Sequence, residues 1–340
     1  MRVIKTWKDF GPRGVPASAL MLDYRESRVY NLSDSVESGI AKLWGASRDE
    51  AQKTGAKLAN GRLMNLVGVY GLDKGGDLTI LALGPSEFMD YDGMGKIFDH
   101  KKVGGAEVLP ERYGLTHEDA KYLREKIHVL SSFPAVISEG CAIMGKKGKQ
   151  VTKEGAGKIS FPGAGYLNPD KETFMFDGVL YTKQPQQIVA REIKEELGLQ
   201  PHDINEARIL TIAEDDYRGS HRNPGIMSVV ESKAVNEEIM ERKGIAKDAW
   251  EHEGPYIFVP LDDEEVYNSY LDSDLSLGAN AIPEIHAKKI EGLGNIRKID
   301  TTGKSQAMLF LLGRYQFGEG WYDETLGKYK DKLQITSFFD

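Results

Sequence analysis

Three glutamates lie within five consecutive residues near the middle of the chain, at Glu192, Glu195 and Glu196. Spacings of three and four residues put all three on one face of a helix, within a single turn. Like charges this close repel one another, so a helix built only for stability would intersperse them with cations. A divalent cation reverses the balance, because hard oxygen ligands from one helical turn suit Mg²⁺ or Mn²⁺, ions that commonly serve phosphate chemistry.

The residues around the glutamates predict the helix that would carry them. Pro185 suits a first helical turn, and Gly198 is a residue that commonly ends a helix. Between them, Val189, Ile193 and Leu197 repeat at a spacing of four and form an apolar stripe. The pattern predicts a helix over residues 186–197 with one face for a core and one for carboxylates.

Short strands and turns precede this helix. Apolar runs at residues 135–137, 141–144 and 158–161 read as strands, and the last run is broken by the Pro-Gly-Ala-Gly sequence at 162–165. Residues 172–182 are predicted to form an inserted hairpin with Asp177-Gly178 at its tip.

Residues 191–199 resemble the second half of the Nudix box, G-x5-E-x7-R-E-U-x-E-E-x-G-U with U aliphatic, at every specified position. Residues 161–165 resemble the Pro-Gly-Gly turn that leads into the same motif. The approach to the helix departs from the pattern, because Lys183 stands where the first box Glu is expected. Alignment of the Pro-Gly turn requires an insertion of about a dozen residues. Glu172 and Asp177 are the nearby carboxylates that could fold back to replace that Glu.

The resemblance implies hydrolysis of a nucleoside diphosphate linked to another moiety, of the sugar nucleotide, ADP-ribose or dinucleotide type, with Mg²⁺ or Mn²⁺. It implies that Glu192, Glu195 and Glu196 are the metal ligands. Glu195 and Glu196 are then catalytic together with Arg191, which would orient a glutamate from within the helix. The loop Gly163, Ala164 and Gly165 would bind substrate, because glycine lets the backbone approach phosphates closely.

Residues outside the motif are further candidates, chosen by their place in predicted loops. Glu214, after a likely strand, and Glu253, before another, are possible general bases. Arg218 and Arg222 are possible phosphate-binding cations. His252 is interpreted as a polar surface residue.

The predicted fold class is α/β (α+β), a Nudix-type α/β/α sandwich with an additional mixed α/β N-terminal domain. We place that domain at residues 1–132 and the Nudix domain at 133–340, with an inserted hairpin near 166–183. Phe133-Pro134, after a predicted helix, sets the boundary. The segment 60–66 is faintly similar to the leading part of Nudix proteins that cleave UDP-sugars, but the N-terminal half shows no chemistry of its own.

The composition of the chain excludes several classes of partner and site. The chain has 340 residues and a net charge of −8, so a nucleic-acid partner is unlikely. Its single cysteine, Cys141, excludes an internal disulfide and a cysteine-based zinc cluster. With no secretory signal and no apolar run long enough to span a membrane, we expect a cytoplasmic protein with no membrane partner. The expected partner is a small nucleoside diphosphate derivative, with a homodimer possible.

A second class of function stays open from the sequence. The chain could be a nucleotide-binding regulatory protein on a Nudix scaffold with little or no catalysis, which Lys183 and the insertion favour. The intact group of three glutamates argues against it, because a pure binding module has no evident use for clustered carboxylates. A nucleic-acid-directed hydrolase such as a decapping enzyme is disfavoured by the acidic charge.

Overall fold

The computed structural model describes residues 4–27, 30–54, 60–71, 78–92, 102–103, 106–107, 110–148, 156–215, 223–275 and 280–333. Helices and mixed sheets alternate within these ranges, so the chain is of the α/β class, as predicted. No helix in the described ranges is both long enough and apolar enough to cross a membrane.

The strands are β1 (Ile4–Asp9), β2 (Val15–Pro16), β3 (Leu20–Tyr24), β4 (Arg62–Gly71), β5 (Thr79–Glu87), β6 (Lys102–Val103), β7 (Ala106–Glu107), β8 (Ser131–Ser138), β9 (Cys141–Lys147), β10 (Ile159–Ser160), β11 (Gly165–Tyr166), β12 (Thr173–Phe176), β13 (Val179–Thr182), β14 (Arg208–Asp215), β15 (Pro224–Glu231) and β16 (His252–Pro260). The helices are α1 (Asp34–Thr54), α2 (His117–Lys126), α3 (Pro169–Glu172), α4 (Pro185–Leu197), α5 (Asn236–Arg242), α6 (Glu264–Leu275), α7 (Glu284–Ala287), α8 (Gly303–Phe317) and α9 (Glu319–Leu333).

In the central sheet, β8 and β9 pair at one end only and separate towards the loop 162–165. Its strand order is β1-β14-β15-β8-β9-β10, with β15 and β8 parallel. β8 and β9 pair at Ile137–Ala142 and Ser138–Cys141. The other end of β8 pairs instead with the short β11, through Ser132 and Gly165. The loop 162–165 therefore enters the sheet at the edge of β8 that β9 leaves.

Each face of the central sheet is covered by a different layer. On one face, Ala135 and Met144 pack with residues of α6, α8 and α9, such as Phe310. On the other face, Val136 and Ile143 share a core with α4 and the strands of the N-terminal half. Because strand side chains alternate between faces, neighbouring residues of one strand serve the two layers. The carboxylate-bearing helix thus lies in the same layer as the N-terminal sheet.

The N-terminal half forms a three-stranded sheet, β3-β5-β4, in which β3 and β5 are parallel. α1 and α2 pack against it through Ile40, Leu43 and Leu123. β1 and β2, however, pair with β14 of the central sheet, and Phe133-Pro134 lies within β8. The interpretation of Phe133-Pro134 as the end of a helix is therefore wrong, since α2 ends at Lys126. The division of the chain at residues 132 and 133 stays a prediction.

Most predicted elements form, with boundaries that differ where burial outweighs local preference. The capping box of α2 is present, with Thr116 and Asp119 bonded to each other's backbone N–H. α1 passes Gly45, a residue type that commonly ends a helix, and continues to Thr54. Past the glycine, buried Ser47 hydrogen-bonds to the Leu43 carbonyl within the same helix. Glycine weakens a helix only modestly, so continued packing keeps α1 intact.

Candidate functional site

The predicted carboxylate helix is confirmed as α4, which runs from Pro185 to Leu197. Gly198 ends it with φ of 73°, a left-handed conformation that glycine adopts without strain. The Gly198 N–H donates to the Lys194 carbonyl at 3.0 Å. Val189, Ile193 and Leu197 are buried against the central sheet. The opposite side of α4 presents the three glutamates.

Glu192 and Glu196 are buried, with 7% and 4% of their surfaces exposed. Burial raises the pKa of Glu192 to about 7, although Arg191 opposes the shift. Burial likewise raises the pKa of Glu196 to about 7, against the lowering effects of Lys147 and of a hydrogen bond from the Gly163 backbone. A carboxylate whose ionisation costs this much has less positive charge around it than its own charge requires.

Glu195 lies in a different environment, half-buried at the edge of the site. Its partial burial alone raises its pKa, but Lys171, Arg191 and Lys247 outweigh that effect, so the pKa is lowered. The contacts to its carboxylate are 3.0 Å from Arg191 Nη1, 3.3 Å from Lys247 Nζ and 3.9 Å from Lys171 Nζ. Glu195 is therefore ionised at neutral pH.

Arg191 joins several carboxylates through its guanidinium group. Its Nη2 donates to Glu192 Oε1 at 2.5 Å and also to Glu172, while Nη1 donates to Glu195. The side chain of Glu172 has no exposed surface, and its second oxygen, Oε2, has no hydrogen-bond partner. Arg191 thus holds glutamates of its own helix together with one from the segment that precedes it.

The predicted inserted hairpin forms as β12 and β13 (Thr173–Thr182), and it separates Glu172 from Lys183 along the sequence but not in space. The Lys183 N–H donates to the Glu172 carbonyl at 2.7 Å, so the hairpin leaves and rejoins the chain at one place. Glu172, immediately before the hairpin, can therefore reach Arg191 across 19 positions of sequence. Asp177, the other candidate, lies at the exposed tip of the hairpin. Of the two replacements considered from the sequence, Glu172 is the one in contact with Arg191.

His252 is buried beside Glu196, so its interpretation as a surface residue is wrong. Only 3% of His252 is exposed, and its Nε2 lies 2.9 Å from Glu196 Oε2. Burial, with Lys147 adding to the effect, lowers the pKa of His252 to about 3, so the imidazole is neutral at neutral pH. A neutral imidazole can donate Nε2–H to ionised Glu196.

Tyr256 holds the same turn of α4 by its backbone. Its hydroxyl donates to the Glu196 carbonyl at 2.8 Å. His252 and Tyr256 are four residues apart on β16, but the register against β9 shifts between Glu253 and Ile257, so strand alternation in the sequence alone does not predict that both face α4.

The loop Gly163, Ala164 and Gly165 lies directly against the carboxylates. A Cβ on Gly165 would stand 2.4 Å from Glu192 Oε1, closer than any side chain allows. Gly163 has φ of 88° and faces Ile193, on the apolar side of α4. Ala164 is half-buried between them. The predicted substrate loop is therefore next to Glu192, and glycine at 165 is required for that approach.

The other predicted site residues are not in this group. Glu214 is buried on β14, where Trp7 Nε1 donates to it at 3.2 Å and His128 Nδ1 lies 3.1 Å away. Glu253 is exposed and neighbours His252, so strand alternation directs it to the face opposite Glu196. Arg218 and Arg222 lie outside the described residues. The roles of all four stay predictions.

The carboxylate oxygens of the three glutamates are ligands of the kind that a hard divalent cation binds, but their positions do not form a coordination site. Within the described ranges, no group of three or more acidic, histidine or cysteine side chains is placed to hold a metal ion. The carboxylates of α4 are instead held by Arg191, Lys247 and His252. Three carboxylates are nevertheless the ligand type that Mg²⁺ and Mn²⁺ prefer, and two of them are buried with raised pKa values.

No model of a known protein family matches this chain. No curated protein matches it. The side chains of the site are therefore the grounds on which a function can be argued.

Proposed function

We propose that this protein is a Mg²⁺- or Mn²⁺-dependent hydrolase with a Nudix-type α/β/α fold. Its substrate would be a nucleoside diphosphate linked to another moiety, such as a sugar nucleotide, ADP-ribose or a dinucleotide. One observation carries the proposal: Glu192 and Glu196 are buried on one turn of helix beside the Gly165 backbone, with pKa values raised to about 7. Burial outweighs the opposing effects of Arg191 on Glu192 and of Lys147 on Glu196, and buried carboxylates with pKa values raised this far are uncommon unless they serve a site.

The residues divide into ligands and residues that hold them. Glu192, Glu195 and Glu196 would bind the cation. When bound, such an ion neutralises a diphosphate and lowers the pKa of a bound water. Arg191 fixes the rotamers of Glu192 and Glu195, and Glu172 fixes Arg191. His252 fixes Glu196 through Nε2. Gly165 lets the loop backbone lie against the Glu192 carboxylate, because a side chain there would collide with it.

The resemblance and the structure support each other at one position. In the sequence, Lys183 stands at the position of the first glutamate of the Nudix box, so the match to the motif is incomplete. Glu172 contacts Arg191, the contact that the family's first box Glu generally makes. A hairpin inserted between that glutamate and the helix accounts for the irregular spacing without loss of the contact.

The proposal is tested with a panel of UDP-glucose, ADP-ribose, NADH, diadenosine polyphosphates, CoA and nucleoside triphosphates, each with Mg²⁺ and with Mn²⁺. We expect cleavage of at least one diphosphate bridge and its loss in EDTA. Glu196→Gln should lower kcat/KM about 100-fold or more, because it removes a charged ligand without changing shape. Lys194→Gln is the matched control, because Lys194 is an exposed residue of the same helix. It should retain activity.

Two results would contradict the proposal. Turnover that needs no metal, or full activity of Glu196→Gln, would exclude these glutamates from the chemistry. No turnover across the panel, combined with tight nucleotide binding, would favour the regulatory alternative instead.

A further inference from the structure

Exposed apolar side chains are concentrated on the inserted hairpin. Of the 14 large hydrophobic residues exposed in the described ranges, five lie within these ten residues of chain. Four of them form what we call the aromatic face: Phe174, Phe176, Val179 and Tyr181. Their exposed fractions are 48%, 67%, 51% and 44%. A patch this concentrated on a soluble fold generally marks an interaction surface, whereas scattered exposed residues do not.

The strand register puts these four residues on the same side. Phe174 pairs with Tyr181, and Phe176 pairs with Val179. Cross-strand partners share a face, and Phe174 and Tyr181 stack with ring centroids 5.7 Å apart. Leu180, on the opposite side, packs against the core that contains α4. One side of the hairpin is therefore anchored to the body of the protein, and the aromatic face is turned away from it.

The hairpin also leaves a strand edge unpaired. β13 lies next to β3, so β12 is the outer strand, and no described strand pairs with its outer edge. β12 carries the sequence Thr-Phe-Met-Phe, without a charge or a proline to discourage pairing. A two-stranded hairpin of this kind is only marginally stable in water by itself.

We propose that the aromatic face docks against the aromatic face of a second copy of this chain. An uncharged face is self-complementary, because two copies can meet without burying like charges. Face-to-face packing of the two hairpins in antiparallel orientation would bring the tip residue Asp177 of one copy to the root of the other hairpin. That root carries Lys171 and Lys183, so opposite charges meet at both ends of the contact.

The size of the patch predicts a weak dimer. Aromatic side chains bury about 150–250 Å² each, so the exposed fractions amount to about 400 Å² per copy. A symmetric pair would bury about 800 Å² before flanking polar groups are counted, which is close to the lower limit of about 1,000 Å² for specific interfaces. We therefore expect dissociation in the micromolar range. The inference does not depend on the proposed hydrolase activity.

Sedimentation velocity of the full chain across about 1 to 200 μM tests the proposal. We expect a concentration-dependent shift from one to two chain masses. Phe176→Asp should weaken the dimer about tenfold or more, because a charge would be buried in an apolar contact. Phe176→Thr, which keeps strand preference if the aspartate variant misfolds, should weaken it severalfold. Ile285→Asp is the matched control, because Ile285 is 69% exposed but lies on α7. It should leave the dimer unchanged.

Hydrogen exchange supplies a second readout. The amides of β12 and β13 should exchange more slowly at high protein concentration, because the dimer stabilises a hairpin that is only marginally stable by itself, and this protection should vanish in Phe176→Thr. A wild-type chain that stays monomeric at 200 μM would overturn the proposal. A dimer that persists in both Phe176 variants would also overturn it, because another surface would then hold the copies together.

Discussion

Two acid-rich regions among the described residues differ in how deeply their carboxylates are buried. One is the turn of α4 with Glu192 and Glu196. The other is a cavity of about 830 Å³ in the N-terminal half, whose acidic lining is Glu26, Asp34, Glu37, Glu87 and Asp90. In the cavity, Glu26, Asp34 and Glu37 are exposed to solvent. On α4, both glutamates are buried and their pKa values are raised to about 7.

The difference in burial means that ionisation costs more free energy at the α4 glutamates than at the exposed acids of the cavity. Water stabilises the exposed carboxylates of the cavity, and Arg62 adds contacts of 3.1 Å to Glu26 and to Asp170 on its rim. Asp90, the buried member, accepts a hydrogen bond from Tyr30 at 2.7 Å. The pair on α4 lacks comparable solvation, so a bound cation would stabilise it far more. Burial, and not local acidity, is what distinguishes the candidate site.

Replacement of two acids on α3 gives the largest expected contrast. Glu172 forms a buried ion pair with Arg191, and Asp170 forms an exposed one with Arg62. Glu172→Gln should lower the free energy of unfolding by about 2–4 kcal/mol, because it leaves a buried guanidinium with fewer partners. Asp170→Asn should change it by less than about 1 kcal/mol, as is usual for exposed pairs. Urea unfolding of both variants measures the difference.

Activity provides a second measure of the same pair of variants. If the proposed function holds, Glu172→Gln should lower kcat/KM about 10- to 100-fold through the loosened Arg191, and Asp170→Asn should not. Lys183→Glu should not lower activity, because Glu172 already contacts Arg191. Equal stability of the two α3 variants would mean that the Glu172 pair contributes no more than a surface pair.

Much of this site follows from local sequence, and the rest depends on contacts between distant residues. The spacing of Glu192, Glu195 and Glu196 fixes their shared face, since a helix has one periodicity. Their burial does not follow from that spacing, because it is decided by β16 and the loop at Gly165. The Glu196–His252 contact joins residues 56 positions apart. His252, the first residue of β16, lies between Glu251 and Glu253 in the sequence, so the local pattern predicts a surface position for it.

For the hairpin, the local structure could be predicted from the sequence but the contact that it permits could not. Its turn at Asp177-Gly178 could be predicted, because that dipeptide favours a tight hairpin. The closure between Glu172 and Lys183 could be expected from a hairpin of that length. The consequence, that Glu172 meets Arg191, required the packing of α3 beside α4.

The increase in stability on metal binding distinguishes the α4 glutamates from the acidic cavity. Mg²⁺ or Mn²⁺ at about 100 times its dissociation constant should add about 2.7 kcal/mol to the free energy of unfolding if it binds the folded state alone. For a chain of this size each 1 kcal/mol raises Tm by about 2–4 °C or less. Glu192→Gln and Glu196→Gln should abolish the rise in Tm, whereas Glu37→Gln, in the acidic cavity, should retain it. Loss of the rise only in Glu37→Gln would move the cation site to the N-terminal half.

The pH dependence of stability without metal is the smallest expected effect. The folded-state pKa values of Glu192 and Glu196 are about 7, above the ordinary value of 4.5, so the folded state binds more protons than the unfolded state between these limits. Stability from these groups is therefore present below pH about 4.5 and is lost as pH rises toward 7. In EDTA, Glu192→Gln should become about 2 kcal/mol more stable relative to the wild type between pH 5 and pH 8, because most of the shift of the Glu192 pKa from 4.5 to about 7 is expressed over that range. Urea unfolding at several pH values measures the difference. The opposite result would be a wild type that becomes more stable than Glu192→Gln as pH rises. It would mean that Arg191 already neutralises the buried carboxylate, which would remove the electrostatic reason for a cation at this site.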